Sequence, residues 1–441
     1  MGRGLSRRDF LRVGGGALAG VSALGLAGCG GGGGGQGGSG GNSLEFWAFD
    51  EGRADFAKAA LETKEWKDAH GDMKVNFRIF PYEQMHDKLL TALVSGKGAP
   101  DVADVEISRF SNFIKGDELP FLDLTDRIGD DINDVYKPAA TDPWTWQNKI
   151  YGVGNELNTC VLAYRQDLMD QVGVRTPFET WDQVIEAGRE VSNNDRKMFA
   201  LHDIAFGDHY MLSQSAGTAY FDDQGNYIGD NEANVAAKQF LHDMVHESGI
   251  AGIAPVVASD SWYPPQYRSA FADERFVALF GPPWHLSFLP TDVKEQSGKW
   301  TVQGLPSGLG EGLPTANFGG TGQCVTTQSQ NPDAAYDLVR IANLTNEGVI
   351  ADFEARTAYP AYKPAYEDPA LQKPNEYFGG QKLGQLYSDL APDLPPFNQS
   401  PVWGQATVAL VREVITPVMQ DKEDAQAALS GFRQTVEEMK Q

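Results

Sequence analysis

Apolar and polar positions along this chain alternate between two periods, close to two and close to 3.6 residues. Leu44 to Phe49 is a short apolar run that predicts a strand. Arg53 to His70 follows with Phe56, Ala59, Ala60, Thr63 and Trp66 at helical spacing and Gly71 as its stop. Met73 to Phe80 predicts a second strand. Tyr82, Met85, Leu89 and Leu93 share one helix face, and Gly98-Ala99-Pro100 turns the chain into a third strand, Asp101 to Ile107. This βαβαβ order implies parallel strands with helices on both faces of a sheet.

The same grammar returns further on. Tyr151 to Tyr164 reads as strand-like, and Thr180-Trp181-Asp182-Gln183 forms a capping box at the head of a helix. Tyr220 to Tyr227 predicts a hairpin, Asn231 caps a helix running to Glu247, and Gly249 closes it. Further strands are expected at Arg275 to Phe280, Trp300 to Leu305 and Asn317 to Thr327. Asn331-Pro332-Asp333 starts a helix with proline in its first turn. Ala425, Ala428, Leu429, Phe432, Val436 and Met439 fall on one face of a terminal helix. No repeat of 20 to 50 residues is visible.

Composition changes the picture in two places. Of 49 glycines, 18 lie within residues 1 to 43, so the excess belongs to an N-terminal tract rather than to the fold. The 441 residues carry a formal charge of −24, which rises in magnitude to −27 once the basic first 28 are set aside. Phosphate backbones and anionic lipid repel such a chain, so no nucleic-acid partner is expected and membrane contact requires an anchor. The cysteines, at 29, 160 and 324, form no CxxC or Cys/His array.

The N-terminus reads as an address. Ser6-Arg7-Arg8-Asp9-Phe10-Leu11-Arg12 precedes a Gly/Ala-rich apolar run that ends in Leu26-Ala27-Gly28-Cys29. This resembles a twin-arginine export signal joined to a lipobox. The run, Val13 to Ala27, is shorter than the roughly 18 to 20 apolar residues that span a bilayer. The resemblance implies that residues 1–28 are a cleaved signal and that Cys29 is lipidated. Residues 29–43 then form a flexible tether holding a globular body off the extracytoplasmic face of the membrane.

From residue 44 onward a family resemblance accumulates in order. It comprises Trp47 ending the first strand, Gly98-x-Pro100-Asp101-Val102, Leu124-Thr125, Ile150-Tyr151-Gly152-Val153 and Val161-Leu162-Ala163-Tyr164-Arg165-x-Asp167-Leu168. Pro177-x-x-Thr180-Trp181-Asp182, Gly281-Pro282-Pro283-Trp284 and Gly319-Gly320 follow. Together they resemble the extracellular solute-binding proteins of family 1, the maltose-binding-protein-like sugar receptors of ABC importers. Arg165 in place of the usual Asn, Asn155-Glu156, and the extra proline at 282–283 depart from the pattern and bear on the ligand class.

The resemblance implies an α/β, two-lobed periplasmic-binding-protein-like fold of type II, with two or three chain crossings and ligand held in the cleft. Lobe I is expected over 44–153 and 306–350, and lobe II over 154–305 and 351–441. It also implies capture of a mono- or oligosaccharide by a monomer, delivery to ABC permease subunits, no enzymatic activity and no cofactor. A surface glycan-degrading lipoprotein, or a receptor for another polar solute such as glycerol-3-phosphate or a peptide, is the alternative.

Sugars need aromatic faces for their C–H patches and planar polar groups for their hydroxyls. Trp284 and Trp403 match family positions where an aromatic stacks on a sugar ring. Trp47 and Trp262 are further candidates, whereas Trp66, Trp181 and Trp300 read as core. Trp144 and Trp146 are open between the cleft mouth and a lid over lobe I. Asp50, Glu83, Arg109, Glu156 and Asn158 lie near expected strand ends and are the polar candidates, with a solvated surface position as the alternative for each. Gly319 and Gly320 suit close backbone approach, in a contact, a hinge or a plain turn.

Catalytic and metal motifs are weak by comparison. His242 and His246 have i, i+4 ligand spacing, but Asp243 stands where a gluzincin carries Glu and no third ligand is indicated, so a solvent-facing helix is preferred to a metal site. Asp130-Asp131 and Asp222-Asp223 lack the alternation of a calcium loop. No G-x-S-x-G or Walker A sequence follows an expected strand. Cys160 and Cys324 are expected as two buried thiols.

Overall fold

The computed structural model describes residues 42–71, 73–116, 118–256 and 264–441. The expected signal, Cys29 and Trp262 lie outside them. Its strands are β1 (Ser43–Ala48), β2 (Lys74–Ile79), β3 (Val102–Glu106), β4 (Thr145–Trp146), β5 (Lys149–Ile150), β6 (Val153–Gly154), β7 (Val161–Arg165), β8 (Lys197–Leu201), β9 (Ala251–Ile253), β10 (Phe276–Gly281), β11 (Trp300–Gln303) and β12 (Thr321–Val325).

They form two five-stranded sheets, ordered β2-β1-β3-β12-β6 and β11-β7-β10-β8-β9, and a small β4-β5 ribbon. In the first sheet β1 runs parallel to β2 and β3, as the βαβαβ order predicted, while β12 is antiparallel to β3 and β6. In the second, β8 lies parallel to β9 and β10, and β7 is antiparallel to β10 and β11. Each sheet anchors one lobe of a two-lobed α/β fold. Buried alternation accounts for the sheets: Leu44, Phe46 and Ala48 are inaccessible, and every residue of β7, β10 and β12 is buried, as strands covered on both faces require.

Local caps set the helix ends. Thr180 accepts from the Gln183 amide at 3.3 Å and opens the helix Trp181–Val191, and Asn231 accepts from the Asn234 amide at 2.9 Å and opens Glu232–His246. Two expectations need correction. The single helix over 53–70 is two, Glu51–Glu62 and Lys64–His70, because Thr63 leaves helical geometry and its hydroxyl accepts from the Trp66 amide at 3.2 Å. The run over 151–164 is two short strands in different sheets, β6 and β7, with the chain crossing between the lobes at 155–160.

The chain crosses three times. It leaves the first sheet after β6, returns between β11 and β12, and crosses again after the helix Asn346–Arg356. That helix packs against Glu51–Glu62 of the first lobe, and the expected boundary at 350 falls inside it. Cys160 and Cys324 are both buried free thiols. Among the described residues no helix is long and apolar enough to cross a membrane.

Candidate functional site

The three crossings lie side by side. Leu157 donates to the Tyr359 carbonyl at 2.7 Å and Ala361 to that of Asn155 at 3.1 Å. On the other edge Cys160 donates to the Ala316 carbonyl at 2.8 Å and Phe318 to that of Asn158 at 3.2 Å. The first crossing is thus the middle of three antiparallel segments, a narrow hydrogen-bonded connection of the kind about which lobes hinge.

A cavity of about 560 Å³ opens beside this connection. Its walls include Glu156 and Asn158 from the first crossing, Arg356 and Tyr359 from the third, and Trp284 and Phe288 from the second lobe. Proline explains how Trp284 gets there. Pro282 and Pro283 follow β10, neither offers an N–H to a ladder, and Pro283 occupies the first position of the short helix Pro283–Leu286 that carries the indole. Trp284 Nε1 donates to the Phe318 carbonyl of the second crossing at 3.3 Å, and its ring packs at 5.9 Å from that of Phe318.

Gly319 and Gly320 are required here on two counts. Both adopt positive φ, +87° and +123°. A Cβ on Gly319 would lie 2.9 Å from Trp284 Nε1, and one on Gly320 would lie 2.9 Å from Asn158 Nδ2. The close approaches of this pair are thus to two side chains that line the cavity, and neither glycine lines it itself.

The polar wall is organised by two arginines that no sequence motif singles out. Arg53 pairs with Asp104 at 2.9 Å and reaches Glu156 at 3.6 Å, and Arg356 lies 4.0 Å from the other Glu156 oxygen. Arg356 is also bidentate to Asp352, at 2.5 and 2.8 Å. Burial disfavours the Arg356 cation, but the Asp352 and Glu156 carboxylates outweigh it and raise its pKa. Asn158 is almost wholly buried, its Nδ2 donates to the Glu156 carbonyl at 3.3 Å, and its Oδ1 has no hydrogen-bond partner. An unmet acceptor in a cavity wall costs free energy until a ligand donor reaches it. The wall thus combines an indole, a held carboxylate, a free amide oxygen and a fixed guanidinium, groups suited to a neutral polyhydroxylated ligand.

The remaining candidates lie elsewhere. Asp50 caps the helix Glu51–Glu62 by accepting from the Arg53 amide at 2.9 Å. Glu83 is ion-paired with Arg109, whose guanidinium sits 5.1 Å over the Tyr82 ring. These three follow the carboxyl ends of β1, β2 and β3, on one edge of the first sheet, and none lines the cavity. Behind them burial pushes His86 down to about 4, which keeps it neutral, and its Nε2 accepts from the Glu106 amide at 3.2 Å.

Two tryptophans expected at the ligand are core instead. Trp47, 6% exposed, packs at 5.1 Å against Phe80 and donates to Glu45. Trp403, 1% exposed, starts the helix Trp403–Leu410 as expected, but its ring is enclosed by Phe397, Tyr210, Phe221 and Tyr220 at 4.5 to 6.0 Å. Trp144 is also core, donating to the Val105 carbonyl at 2.9 Å. Trp146 lines a separate groove of about 470 Å³ together with Lys115, Gln224 and Gln405. No sequence signal marked Arg53 or Arg356, since both lie in ordinary amphipathic helices.

Comparison with known proteins agrees with this architecture. An arabinooligosaccharide-binding protein of Halalkalibacterium halodurans is 27% identical over 387 residues, spanning 86% of this chain and 84% of its own. A lactose-binding protein of Rhizobium radiobacter is 28% identical over 344 residues, spanning 75% and 77%. Among solved structures, the sugar-binding protein MalE of Xanthomonas citri superposes with a TM-score of 0.74 at 18% identity, covering 90% of this chain and 96% of that one. The GacH receptor of Streptomyces glaucescens gives 0.72 at 18%, covering 90% and 97%. The family model described as bacterial extracellular solute-binding protein matches residues 61–379, and this chain belongs to that family.

Proposed function

We propose that the protein is the carbohydrate receptor of an ABC importer. It is exported, held at the extracytoplasmic face through lipidated Cys29, and acts as a monomer that hands an intact mono- or oligosaccharide to the permease subunits. Lobe I comprises 44–153 with 306–356, lobe II comprises 154–305 with 357–441, and the sugar lies between them. The observation that carries this reading is the convergence of Trp284, Glu156 and the unpartnered Asn158 Oδ1 on one cavity beside the crossings. Relatives named for arabinooligosaccharides, lactose and galactooligosaccharides support a sugar over glycerol-3-phosphate or a peptide.

In this reading the indole of Trp284 stacks on a sugar ring, while Glu156 accepts from hydroxyls and Asn158 Oδ1 accepts from another. Because the ligand touches groups on both lobes and on the crossings, it binds the closed form more tightly than the open one and shifts the population toward it. The permease then reads the closed form. Asp50, Glu83 and Arg109, on the carboxyl edge of the first sheet, are proposed to meet the sugar from the opposite lobe on closure.

Titration calorimetry against arabino- and galacto-oligosaccharides, followed by chromatography of the recovered sugar, tests the assignment. Saturable binding with unaltered sugar is expected. Conversion of the sugar, or no heat from any member of the panel, would overturn it. Trp284→Ala is expected to weaken binding by about 1 to 3 kcal/mol, roughly 5- to 150-fold in Kd, with little change in melting temperature. A large fall in melting temperature at unchanged affinity would return Trp284 to the core.

A further inference from the structure

The helix Glu232–His246 places His242 and His246 one turn apart, with ring centroids separated by 4.5 Å. The fold supplies the third group that the sequence pattern lacked. Asp421, 179 positions from His242, brings Oδ1 to 3.1 Å from His242 Nε2. Its backbone is held at φ +55°, a left-handed conformation unusual for a side-chain-bearing residue. One ligand atom from each of the three residues lies within 4.8 Å of the others.

The hydrogen bonding around these residues is compatible with a bound cation. His242 stands between two carboxylates, with Nδ1 at 3.2 Å from Asp243 Oδ1 and Nε2 at 3.1 Å from Asp421 Oδ1. Nδ1 also lies 3.3 Å from Gln239 Nε2, and when the single N–H of a neutral imidazole sits on Nδ1 the Nε2 lone pair faces Asp421. In that tautomer a metal ion can bridge Nε2 and Asp421. Gln239 Nε2 donates to Asp243 Oδ1 at 2.7 Å and holds that outer carboxylate in place. His246 Nε2 lies 3.0 Å from the Met419 carbonyl, so that nitrogen carries the proton and Nδ1 keeps its lone pair. This is the outer hydrogen bond that metal-bound imidazoles commonly make. Two ligands on one tetrahedral zinc stand roughly 3.3 Å apart, given bonds of about 2.0 to 2.1 Å, close to the 3.1 Å between His242 Nε2 and Asp421 Oδ1.

We propose that His242, His246 and Asp421 form a binding site for one divalent transition-metal ion, with zinc the matching probe. Two imidazoles and one carboxylate suit a borderline-soft ion and not Mg²⁺ or Ca²⁺, which take oxygen ligands. With three protein ligands the fourth position belongs to water. The ion clips the helix Glu232–His246 to the segment after Thr416–Met419, joining parts of the second lobe far apart in sequence. None of the three residues lines the interlobe cavity, so the site acts on the stability of that lobe and stands apart from sugar capture.

The test uses the untagged full chain, stripped with a chelator and titrated with Zn²⁺ by calorimetry. One ion per chain is expected, bound at least tenfold more weakly by Asp421→Asn and not measurably by His242→Gln/His246→Gln. Zn²⁺ raises the melting temperature of the parent chain and leaves that of the double variant unchanged, while Mg²⁺ moves neither. Co²⁺ is expected to develop the visible absorption of a tetrahedral site in the parent chain alone. Absence of saturable Zn²⁺ binding, or binding that persists undiminished in the double variant, overturns the proposal. Asp421 is exposed, so Asp421→Asn folds and keeps the test decisive even if the double variant does not.

Discussion

Replacing Trp403 with Ala is expected to cost about 3 to 5 kcal/mol of folding stability, the range for emptying a large aromatic from a packed core. The indole stacks at 28° on Tyr220 with centroids 6.0 Å apart and meets Phe397 at 4.5 Å, Tyr210 at 5.4 Å and Phe221 at 5.5 Å. Its removal leaves a void bounded by rigid rings, which collapse poorly, so the loss falls toward the upper part of the range. Its Nε1 has no hydrogen-bond partner, so no polar bond is lost and the penalty is one of packing. Denaturant unfolding of the variant measures it. An unchanged unfolding midpoint together with collapsed sugar affinity would instead place the indole on the ligand and sink the core assignment.

Arg53→Met is expected to cost a comparable amount, about 3 to 5 kcal/mol, because it strands a buried carboxylate. Arg53 is 2% exposed and Asp104 is inaccessible, and every hydrogen bond found for the Asp104 carboxylate comes from Arg53. Burial raises the Asp104 pKa, and Arg53 opposes that rise. Without the guanidinium the folded-state pKa climbs further. A carboxyl whose folded pKa exceeds its unfolded value favours the fold below the unfolded value, and that contribution is lost as pH rises through the folded value. The deficit of Arg53→Met is therefore smaller near pH 4 than at pH 7.5, whereas a simple cavity would cost the same at both. Arg53→Met/Asp104→Leu removes the charge along with its partner and is expected to recover much of the stability. Glu156 loses its 3.6 Å neighbour in both variants, so sugar affinity falls in both. Equal stability of the single and double variants would show that the pair does not govern this region.

Much of the frame was legible along the chain because its signals are local. Thr180 and Asn231 cap the helices they were expected to cap, the βαβαβ order gives the parallel β2-β1-β3 core of the first sheet, and the ordered motifs from Trp47 to Gly320 indicated two lobes. The Thr63 break is equally local, since a hydroxyl three residues before Trp66 is a cap signal, though it sits within an otherwise unbroken apolar stripe.

The site divides along a physical line. Residue type and position near a strand end indicated Glu156, Asn158 and Trp284, which line the cavity, since strand ends and proline turns are where an α/β lobe can present side chains to a cleft. The sequence by itself determined most of the elements, the acidic balance, and the type of group available to a ligand. Only the tertiary structure decided which tryptophans face the cavity and which the core, because an indole follows the same local rules in both places. It alone paired Glu156 with Arg53 and Arg356, and His242 with Asp421. Those pairings span 100 to 200 positions of chain, and nothing in the local spacing of charges or apolar residues encodes which distant partner folding will bring within 4 Å.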